Sequence, residues 1–246
     1  MDDVIGIILA AGKGTRLNNG SPSEKPKVLH EIHGKPLITY CIKSLEDAGV
    51  KNIVVVVGYK GELVKDVVGN AASYAVQDKQ LGTSHAVFKA KEMVKDKAKY
   101  LVVLNGDNPF FSSGTIKELV KSCEERKTAI SLVTTEFSHP TGLGRIIKDD
   151  EGHIERIVEE KEATDEEKLI KEINAGCYCF NNEWLWQNIK DVELSPHGEY
   201  YLTDLISLAV EDGKKVYALK IKDNVEAVGI NTKEHLDFAN SLPKKD

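Results

Sequence analysis

The feature that most constrains the fold is an apolar run that breaks into a glycine-rich loop near the N-terminus. The run from Val4 to Leu9 is typical of a buried parallel strand. Ala10-Ala11-Gly12-Lys13-Gly14 follows, and its small side chains let a ligand approach the backbone closely. The N–H groups of such a loop can hold phosphate oxygens, and Lys13 and Arg16 add positive charge. The pattern therefore predicts a phosphate site where the first strand ends.

The generic phosphate motifs fit this loop poorly. A dinucleotide fingerprint requires a third glycine where Leu17 stands, and a P-loop requires Gly-Lys-Ser/Thr where Gly14 is followed by Thr15 and Arg16. Taken alone, the loop leaves two interpretations open, a phosphate site and an ordinary glycine-rich turn between a strand and a helix.

Composition limits the classes of protein to which the chain can belong. The chain has 246 residues, 41% of them hydrophobic, which is enough for a sizeable core. Its net charge of −6 argues against a general nucleic-acid binder. We expect no membrane partner, because no apolar run is long enough to cross a bilayer and the start, Met1-Asp2-Asp3, is acidic. The four cysteines lack the paired spacing of a zinc site, so we expect reduced thiols in a cytoplasmic protein.

The first half alternates strands and helices as far as Cys123, which is typical of a parallel α/β sheet. In such sheets ligands bind beyond the carboxyl ends of the strands. The glycine loop, the segment 77–83 and Asp107 each follow a predicted strand, so we expect them to lie together. The predicted strands of this half are 4–9, 53–57, 74–76 and 100–104, and the predicted helices are 34–48, 62–68 and 84–94.

Two residues near the predicted site carry charge. Asp107 ends a strand beside the phosphate loop, and one or two carboxylates together with phosphates typically hold Mg²⁺. The alternative role for Asp107 is turn formation or helix capping, and the convergence of polar segments favours the metal. Lys27 follows a polar loop at 18–24 and Pro26, which fixes the backbone and presents the basic side chain near the first loop.

The pattern changes in the second half. After a strand at 129–134, a β-hairpin is predicted at 144–147 and 154–158, and a strand at 173–180 follows. Cys177 and Cys179 alternate within that strand, so they face the same way. The charged run 162–168 is expected to be a solvated face. Helices at 183–189 and 202–211, a strand at 216–221 and a last helix ending at Leu242 complete the prediction.

A series of motifs resembles the sugar-phosphate nucleotidyltransferase family. The first two are LAAGKGTR at 9–16 and PKVL at 26–29. Further motifs are similar to those in the uridylyltransferase domain of the bacterial N-acetylglucosamine-1-phosphate uridyltransferases, and they follow in order over nearly the whole chain. These motifs lie at 77–86, 106–107, 140–146, 157–166, 172–176, 198–204 and 228–231.

The resemblance implies a single Rossmann-like nucleotidyltransferase domain with a central, mostly parallel sheet. It implies a nucleotide-binding half at about 1–135, a smaller sugar-binding β lobe at about 136–230 and a C-terminal helix at 231–246. It also implies a reaction in which UTP and N-acetylglucosamine 1-phosphate give UDP-N-acetylglucosamine, a cell wall precursor, and pyrophosphate. Such a transfer depends on Mg²⁺, positioning and charge neutralisation.

The resemblance also implies roles for individual residues. Arg16, Lys27 and Asp107 would be catalytic, and Asp107 would hold Mg²⁺ together with Asn231. The amide of Gln77 both donates and accepts, which would suit the edge of uracil. The implied nucleotide-binding residues are Leu9, Ala10, Ala11, Gly12, Gly14, Gln77, Gly82 and Thr83. The implied sugar-binding residues are Asn105, Gly106, Gly144, Glu159 and Asn174.

The sequence departs from the family pattern in three places. The loop between Arg16 and Lys27 is several residues longer, and Asn105 stands where the family often has a larger residue before Gly-Asp. The sequence given stops at Asp246 without the hexapeptide repeats of a β-helix domain. We therefore expect this chain to lack the acetyltransferase activity and the trimer contact that such a domain provides in the bacterial enzymes.

Two other functions remain open. The first is transfer of another nucleotide to another sugar phosphate, because thymine offers Gln77 the same hydrogen-bonding edge as uracil. The second is a non-catalytic nucleotide-sugar-binding subunit, because a fold does not fix a function. The presence of the basic groups and of both proposed metal ligands, Asp107 and Asn231, favours an enzyme.

Overall fold

The computed structural model describes residues 1–18 and 24–244. Most of the polar loop predicted at 18–24, and the last two residues of the predicted C-terminal segment, lie outside the described residues. No helix in the two described ranges has the length and apolar character needed to cross a membrane.

A central sheet organises the described chain. Its strands lie in the order β11-β7-β10-β6-β1-β4-β5, and a hairpin of β8 and β9 branches from β10, while β2 and β3 pair separately. In chain order the strands are β1 (Val4–Ala10), β2 (Glu31–Ile32), β3 (Lys35–Pro36), β4 (Asn52–Val57), β5 (Ser73–Val76), β6 (Tyr100–Asn105), β7 (Ile130–Glu136), β8 (Arg145–Lys148), β9 (Ile154–Val158), β10 (Glu172–Asn181) and β11 (Val216–Lys220).

Helices cover both faces of this sheet. They are α1 (Leu37–Asp47), α2 (Gly61–Val68), α3 (Thr83–Lys89), α4 (Lys91–Val94), α5 (Ser113–Arg126), α6 (Asp165–Lys168), α7 (Asn182–Asn188), α8 (Asp204–Glu211) and α9 (Lys233–Ser241). Short 3-10 helices lie at Thr15–Asn18, Lys27–Leu29, Gly69–Ala71 and Asn224–Ala227.

The first half of the sheet is parallel, as predicted. β1 lies between β4 and β6 and pairs in parallel with both, and β5 adds a fourth parallel strand beyond β4. Ile7 of β1 packs in the apolar layer on one face of the sheet, and Ile8 packs in the layer on the other. Because both faces are covered, these strands are continuous apolar runs rather than alternating ones.

The second half of the chain joins the same sheet. β10 pairs antiparallel with β6 on one side and with β7 on the other, and β11 then pairs in parallel with β7. The predicted hairpin is confirmed: β8 pairs with β9 and meets β10 through Arg145 and Ile173. Cys177 and Cys179 pack in the same apolar layer, as their spacing predicted.

A bulge near the start of β10 brings it against the end of β6. The pairing of β10 with β7 shifts register between Asn174 and Tyr178. Gly176, inside this interval, has φ of +78°, and a Cβ built there would lie 2.5 Å from the side-chain nitrogen of Asn105. Only glycine allows this close approach, which places the start of β10 at the strand end where a ligand site was predicted.

Two predictions about helices can be compared with the structure. The single helix predicted at 84–94 is instead two short helices, α3 and α4, which meet at the fully buried Ala90. The charged run at 162–168 is largely solvent-exposed, as expected, and contains α6. Thr164 caps α6 through the backbone N–H of Glu167, whose carboxylate accepts from the N–H of Thr164 in return.

Candidate active site

Within the described part of the chain, two cavities lie side by side at the carboxyl ends of β1 and β6. The first has a volume of about 560 Å³ and the second about 630 Å³. Both are within the usual size range of small-molecule sites. They are lined jointly by Thr15, Thr83, Asn105, Asp107 and Glu199, so they form one continuous cleft.

The first cavity is built by the end of β1 and by the segment after β5. The implied nucleotide-binding residues line it, with the exception of Gly14. Gly14 has φ of +66°, and a Cβ there would lie 3.0 Å from Cβ of Lys27. Its role is therefore local, because it lets the glycine loop pass against Lys27. Gln80 also lines this cavity, although no role was predicted for it.

Gln77 is buried at the edge of the first cavity. Its Nε2 donates to the backbone oxygen of Gly82 at 3.0 Å and lies 3.0 Å from Nδ1 of His85. Burial, the largest effect, and the charge of Lys89 lower the pKa of His85. The amide nitrogen of Gln77 is thus already engaged inside the protein. Donating to a ligand as well would require it to give up its contact with the Gly82 carbonyl or with His85.

A segment of the second half crosses over Gly82. The N–H of Tyr200 donates to Leu81, and Ser84 donates back to the Tyr200 carbonyl at 3.0 Å. Gly82 has φ of +102°, and a Cβ there would lie 2.6 Å from the backbone nitrogen of Tyr200. The Oγ1 of Thr83 also accepts from the N–H of Leu202 at 2.9 Å. These contacts join the two halves of the chain above the cleft.

Lys27, Asp107 and Asn231 meet where the cavities join. The Nζ of Lys27 forms an ion pair with the Asp107 carboxylate and donates to Oδ1 of Asn231 at 2.8 Å. The N–H of Ile230 donates to the backbone oxygen of Asp107 at 2.8 Å, which fixes the neighbouring Asn231 beside it. Two oxygen atoms, one carboxylate and one amide, therefore already converge on a cation. Such donors suit Mg²⁺, with water or phosphate oxygens as its other ligands.

Of the remaining predicted residues, Gly106 lines neither cavity in the described structure. The backbone of Arg16 lies in the 3-10 helix that follows the glycine loop, and its side chain lies outside what the structure describes. Gly106 donates its N–H to the Leu9 carbonyl at 2.9 Å, and a Cβ there would lie 2.9 Å from the same oxygen. Gly106 therefore holds the ends of β1 and β6 together.

The second cavity brings together the other implied sugar-binding residues. Gly144, Glu159 and Asn174 line it together with Asn105, and they lie at β8, β9 and β10. The N–H of Asn174 donates to the Gly144 carbonyl at 3.0 Å. The Nδ2 of Asn174 donates to the hydroxyl of Tyr178 at 2.6 Å. Amide and carboxylate groups thus line one side of this cavity.

Glu159 is a half-buried acid of the second cavity. Its Oε1 accepts a hydrogen bond from Oγ1 of Thr203 at 3.0 Å. Burial raises the pKa of Glu159, and the nearby carboxylates of Glu162 and Glu199 act in the same direction. Thr203 and Glu199 were not predicted as site residues. The only sequence signal for them was the motif at 198–204, since nothing in the local pattern relates that segment to Glu159.

Comparison with known proteins identifies the family. A model of the nucleotidyl transferase family matches residues 5–230, from the first strand to the loop beside Asp107. The chain belongs to this family. The resemblance drawn from the motifs is therefore confirmed at the level of the family.

Curated relatives show which members of the family the chain resembles. This nucleotidyl transferase is 43% identical over 243 residues to the bifunctional protein GlmU of Acetivibrio thermocellus, a match covering 98% of this chain and 52% of that protein. It is 41% identical over 240 residues to the bifunctional protein GlmU of Limosilactobacillus fermentum, covering 97% and 52% respectively. The chain thus spans about half the length of the curated relatives it matches.

A solved structure confirms the fold of this nucleotidyl transferase. It is a Bacillus anthracis protein in complex with a sucrose, provisionally assigned as a glucose-1-phosphate thymidylyltransferase. The TM-score is 0.80, and the match covers 99% of this chain and 98% of that one at 22% sequence identity. The predicted α/β fold with a central, largely parallel sheet is thereby confirmed. At this identity the likeness concerns the fold alone.

Proposed function

We propose that this nucleotidyl transferase forms UDP-N-acetylglucosamine and pyrophosphate from UTP and N-acetylglucosamine 1-phosphate. The observation that carries the proposal is the junction of the two cavities, where Lys27, Asp107 and Asn231 meet. The likeness to the bifunctional GlmU proteins supports the choice of uridylyl transfer and of this sugar.

In this proposal the first half of the chain, about 1–135, binds the nucleotide. Ala10, Ala11 and Gly12 line the first cavity, and their backbone N–H groups would hold phosphate oxygens. Gln77 would recognise the uracil edge after exchanging one of its contacts within the protein. Lys13 lines the same cavity and would add charge that a triphosphate needs.

The second half, about 136–230, would bind the sugar. Glu159 and Asn174 would hydrogen-bond ring hydroxyls or the acetamido group, with Gly144 and Asn105 beside them. A site that hydrogen-bonds a polar group of its substrate rejects analogues that lack the group, because the protein's own polar atoms are then left unpaired. The pocket would therefore favour N-acetylglucosamine 1-phosphate over glucose 1-phosphate.

The transfer would be an in-line substitution at the α-phosphorus of UTP. A phosphate oxygen of the sugar phosphate forms the new bond to that phosphorus, and the bond to the bridging oxygen breaks, so pyrophosphate leaves with that electron pair. Lys27, and we propose Arg16, would neutralise the developing charge. Mg²⁺, held by Asp107 and Asn231, would supply further neutralisation when bound.

The test is pyrophosphate release with each of the four nucleoside triphosphates against a panel of sugar 1-phosphates. We expect UTP and N-acetylglucosamine 1-phosphate to be the best pair, with glucose 1-phosphate at least about a hundredfold worse in kcat/KM. Preference for thymidine triphosphate or for glucose 1-phosphate would move the chain to another branch of the family. Tight binding of the nucleotide sugar without turnover would show a non-catalytic subunit.

The proposed metal ligand can be tested separately. Asp107→Asn should lower kcat by orders of magnitude while UDP-N-acetylglucosamine binds only modestly more weakly, because charge neutralisation acts mainly on the chemical step. Steady-state kinetics over a range of Mg²⁺ concentrations and calorimetric binding of the product measure the two effects. Asp66→Asn, an exposed aspartate on α2, is the matched control. Near-normal turnover of Asp107→Asn at saturating Mg²⁺ would refute the assignment.

A further inference from the structure

An ion pair at the second cavity joins Arg145, which is buried, to Glu160, which lines the cavity. Arg145 follows Gly144, Glu160 follows Glu159, and the Nη2 of Arg145 lies 2.7 Å from Oε2 of Glu160. The guanidinium also donates through Nη1 to the backbone carbonyl of Leu143. The side chain of Arg145 is only 2% exposed. One side chain thus contacts both of the loops that carry Gly144 and Glu159.

The backbone does not join these two loops on its own. In the hairpin of β8 and β9, the register reaches Arg145 opposite Val158 and extends no further among the described residues. Beyond that point Gly144 pairs through its carbonyl with Asn174 of β10, not with the loop that carries Glu159. Yet Gly144 lies close to Glu159, since a Cβ built on Gly144 would be 3.6 Å from Oε1 of Glu159. The nearest backbone pairing, between Arg145 and Val158, is one residue away from each of them, and the ion pair adds a side-chain contact between the two loops.

Stability alone explains this pair poorly. Removing an arginine from water is unfavourable, and a buried ion pair often contributes no more than apolar residues of the same volume. The Nε of Arg145 and the Oε2 of Glu160 are both buried and find no hydrogen-bond partner within the described ranges, so the ion pair leaves both side chains incompletely satisfied. Arginine nevertheless has a geometric property that lysine lacks, because its planar fork can hold two acceptors at a fixed separation.

We infer that Arg145 is a positioning residue for the sugar site. By holding the Leu143 carbonyl and the Glu160 carboxylate together, it sets the distance between Gly144 and Glu159 across the second cavity. The inference rests on the proposed function, since it assigns a role in binding the sugar phosphate. It does not involve the first cavity, which is formed by other segments.

The experiment compares Arg145→Lys and Glu160→Gln with the unsubstituted protein. Arg145→Lys keeps the charge but cannot hold both acceptors, and Glu160→Gln keeps the shape but removes the charge. For both variants, the KM for N-acetylglucosamine 1-phosphate and the Kd for UDP-N-acetylglucosamine should rise by about tenfold or more, since small misplacements of binding groups are costly. The KM for UTP should stay within about twofold, a split that a general loss of stability does not produce.

The same hairpin supplies a matched control. Arg156 of β9 pairs with Glu167 of α6, and the side chain of Arg156 is 40% exposed. Neither residue lines the cleft. Arg156→Lys and Glu167→Gln make the same chemical changes in an arginine–glutamate pair, so they should leave the KM for both substrates within about twofold of the starting value.

Hydrogen exchange of the folded protein gives a readout that does not need catalysis. Amides of the segments 140–146 and 158–163 should exchange faster in Arg145→Lys and Glu160→Gln and be unchanged in the two controls. If Arg145→Lys fails to fold, the exchange measurement on Glu160→Gln decides, because Glu160 itself lines the second cavity and a change in its KM would also follow from a lost contact with the sugar.

Two outcomes would overturn the inference. They are equal KM changes for UTP and the sugar phosphate, and unchanged exchange in the two segments of a folded variant. Failure of the proposed function is recognised differently, because the unsubstituted protein would then prefer another sugar phosphate or bind none. In that case the preferred sugar phosphate replaces N-acetylglucosamine 1-phosphate in the KM comparison, and the exchange measurement stands unchanged.

Discussion

Lys27 occupies the point where the two cavities meet, with its side chain only 15% exposed and its ammonium between Asp107 and Asn231. If it also meets the phosphates in the transition state, Lys27→Ala should lower kcat/KM by about a hundredfold or more, or about 2.7 kcal/mol. Lys25 lies two residues away and forms an exposed ion pair with Glu31, so Lys25→Ala should change little. Steady-state kinetics of the two variants test this role. Similar small losses of kcat/KM in both variants would show that Lys27 does not act in catalysis.

The ionisation of Asp204, the first residue of α8, makes the stability of the fold depend on pH. Burial, and secondarily the carboxylates of Glu162 and Glu159, raises its pKa to about 6 from 3.8. The folded state therefore holds a proton that the unfolded state has already lost. The resulting stability is present below the unfolded pKa and is lost as pH rises toward 6 and beyond.

Asp204→Asn should consequently raise the melting temperature at pH 8, where the unsubstituted carboxylate is ionised in a half-buried position. The gain should disappear near pH 4, because both the aspartic acid and the asparagine are then neutral. Thermal unfolding of the two proteins across pH 4–8 measures the difference. A gain that grows toward low pH would contradict the assigned shift.

At the residue scale, part of the cleft was predictable from physical reasoning alone. The ends of parallel strands meet at one edge, which was enough to bring the glycine loop, Gln77 and Asp107 together. Asn231 and Glu159 came from the family resemblance, since a distant asparagine or glutamate carries no local signal of its position. Thr203 was missed as a site residue, because its contact with Glu159 depends on how two remote segments fold together.

At the scale of elements, the crossing of the 198–202 segment over the first turn of α3 depends on one glycine. Gly82→Ala would place a methyl group against the backbone of Tyr200 and require a non-glycine residue at φ of +102°. We expect a strongly destabilised protein with a weakened affinity at the proposed nucleotide site. Gly114→Ala is the control, because Gly114 lies in the first turn of α5 and a Cβ there would meet only Ser112 Oγ at 3.6 Å. Denaturant unfolding should show that variant to be neutral or slightly stabilised.

The apolar pattern of the sequence predicted most strands and helices but not which strands pair with each other. The runs that form β1, β4 and β6 were recognised because buried parallel strands are continuously apolar. The same reasoning gave a strand at 173–180 but not its place between β6 and β7, because periodicity reports burial and not direction or pairing partner. The break of the predicted 84–94 helix at Ala90 also escaped it, since alanine is a strong helix former and no Gly or Pro interrupts the segment.

At the scale of the whole molecule, the antiparallel ladder between β6 and β10 makes one sheet of the two halves. We therefore expect a single cooperative unfolding transition by calorimetry, with equal calorimetric and van't Hoff enthalpies. Product at about a hundred times its Kd should shift that whole transition upward by about 5–10 °C. Two resolved transitions, only one of them moved by the product, would show instead that the halves unfold separately.

The place of β10 also has a consequence for the order in which a ribosome delivers the chain. When β6 has emerged, β1 is already available as its parallel neighbour, with β4 and β5 beyond it, but the other edge of β6 stays open until residues 177–181 have been made. β7 emerges in the meantime, and its own ladder partners are β10 and the still later β11. A growing chain thus carries an apolar, unpaired strand edge for about 75 residues of synthesis, and such an edge is open to pairing with another chain during that interval.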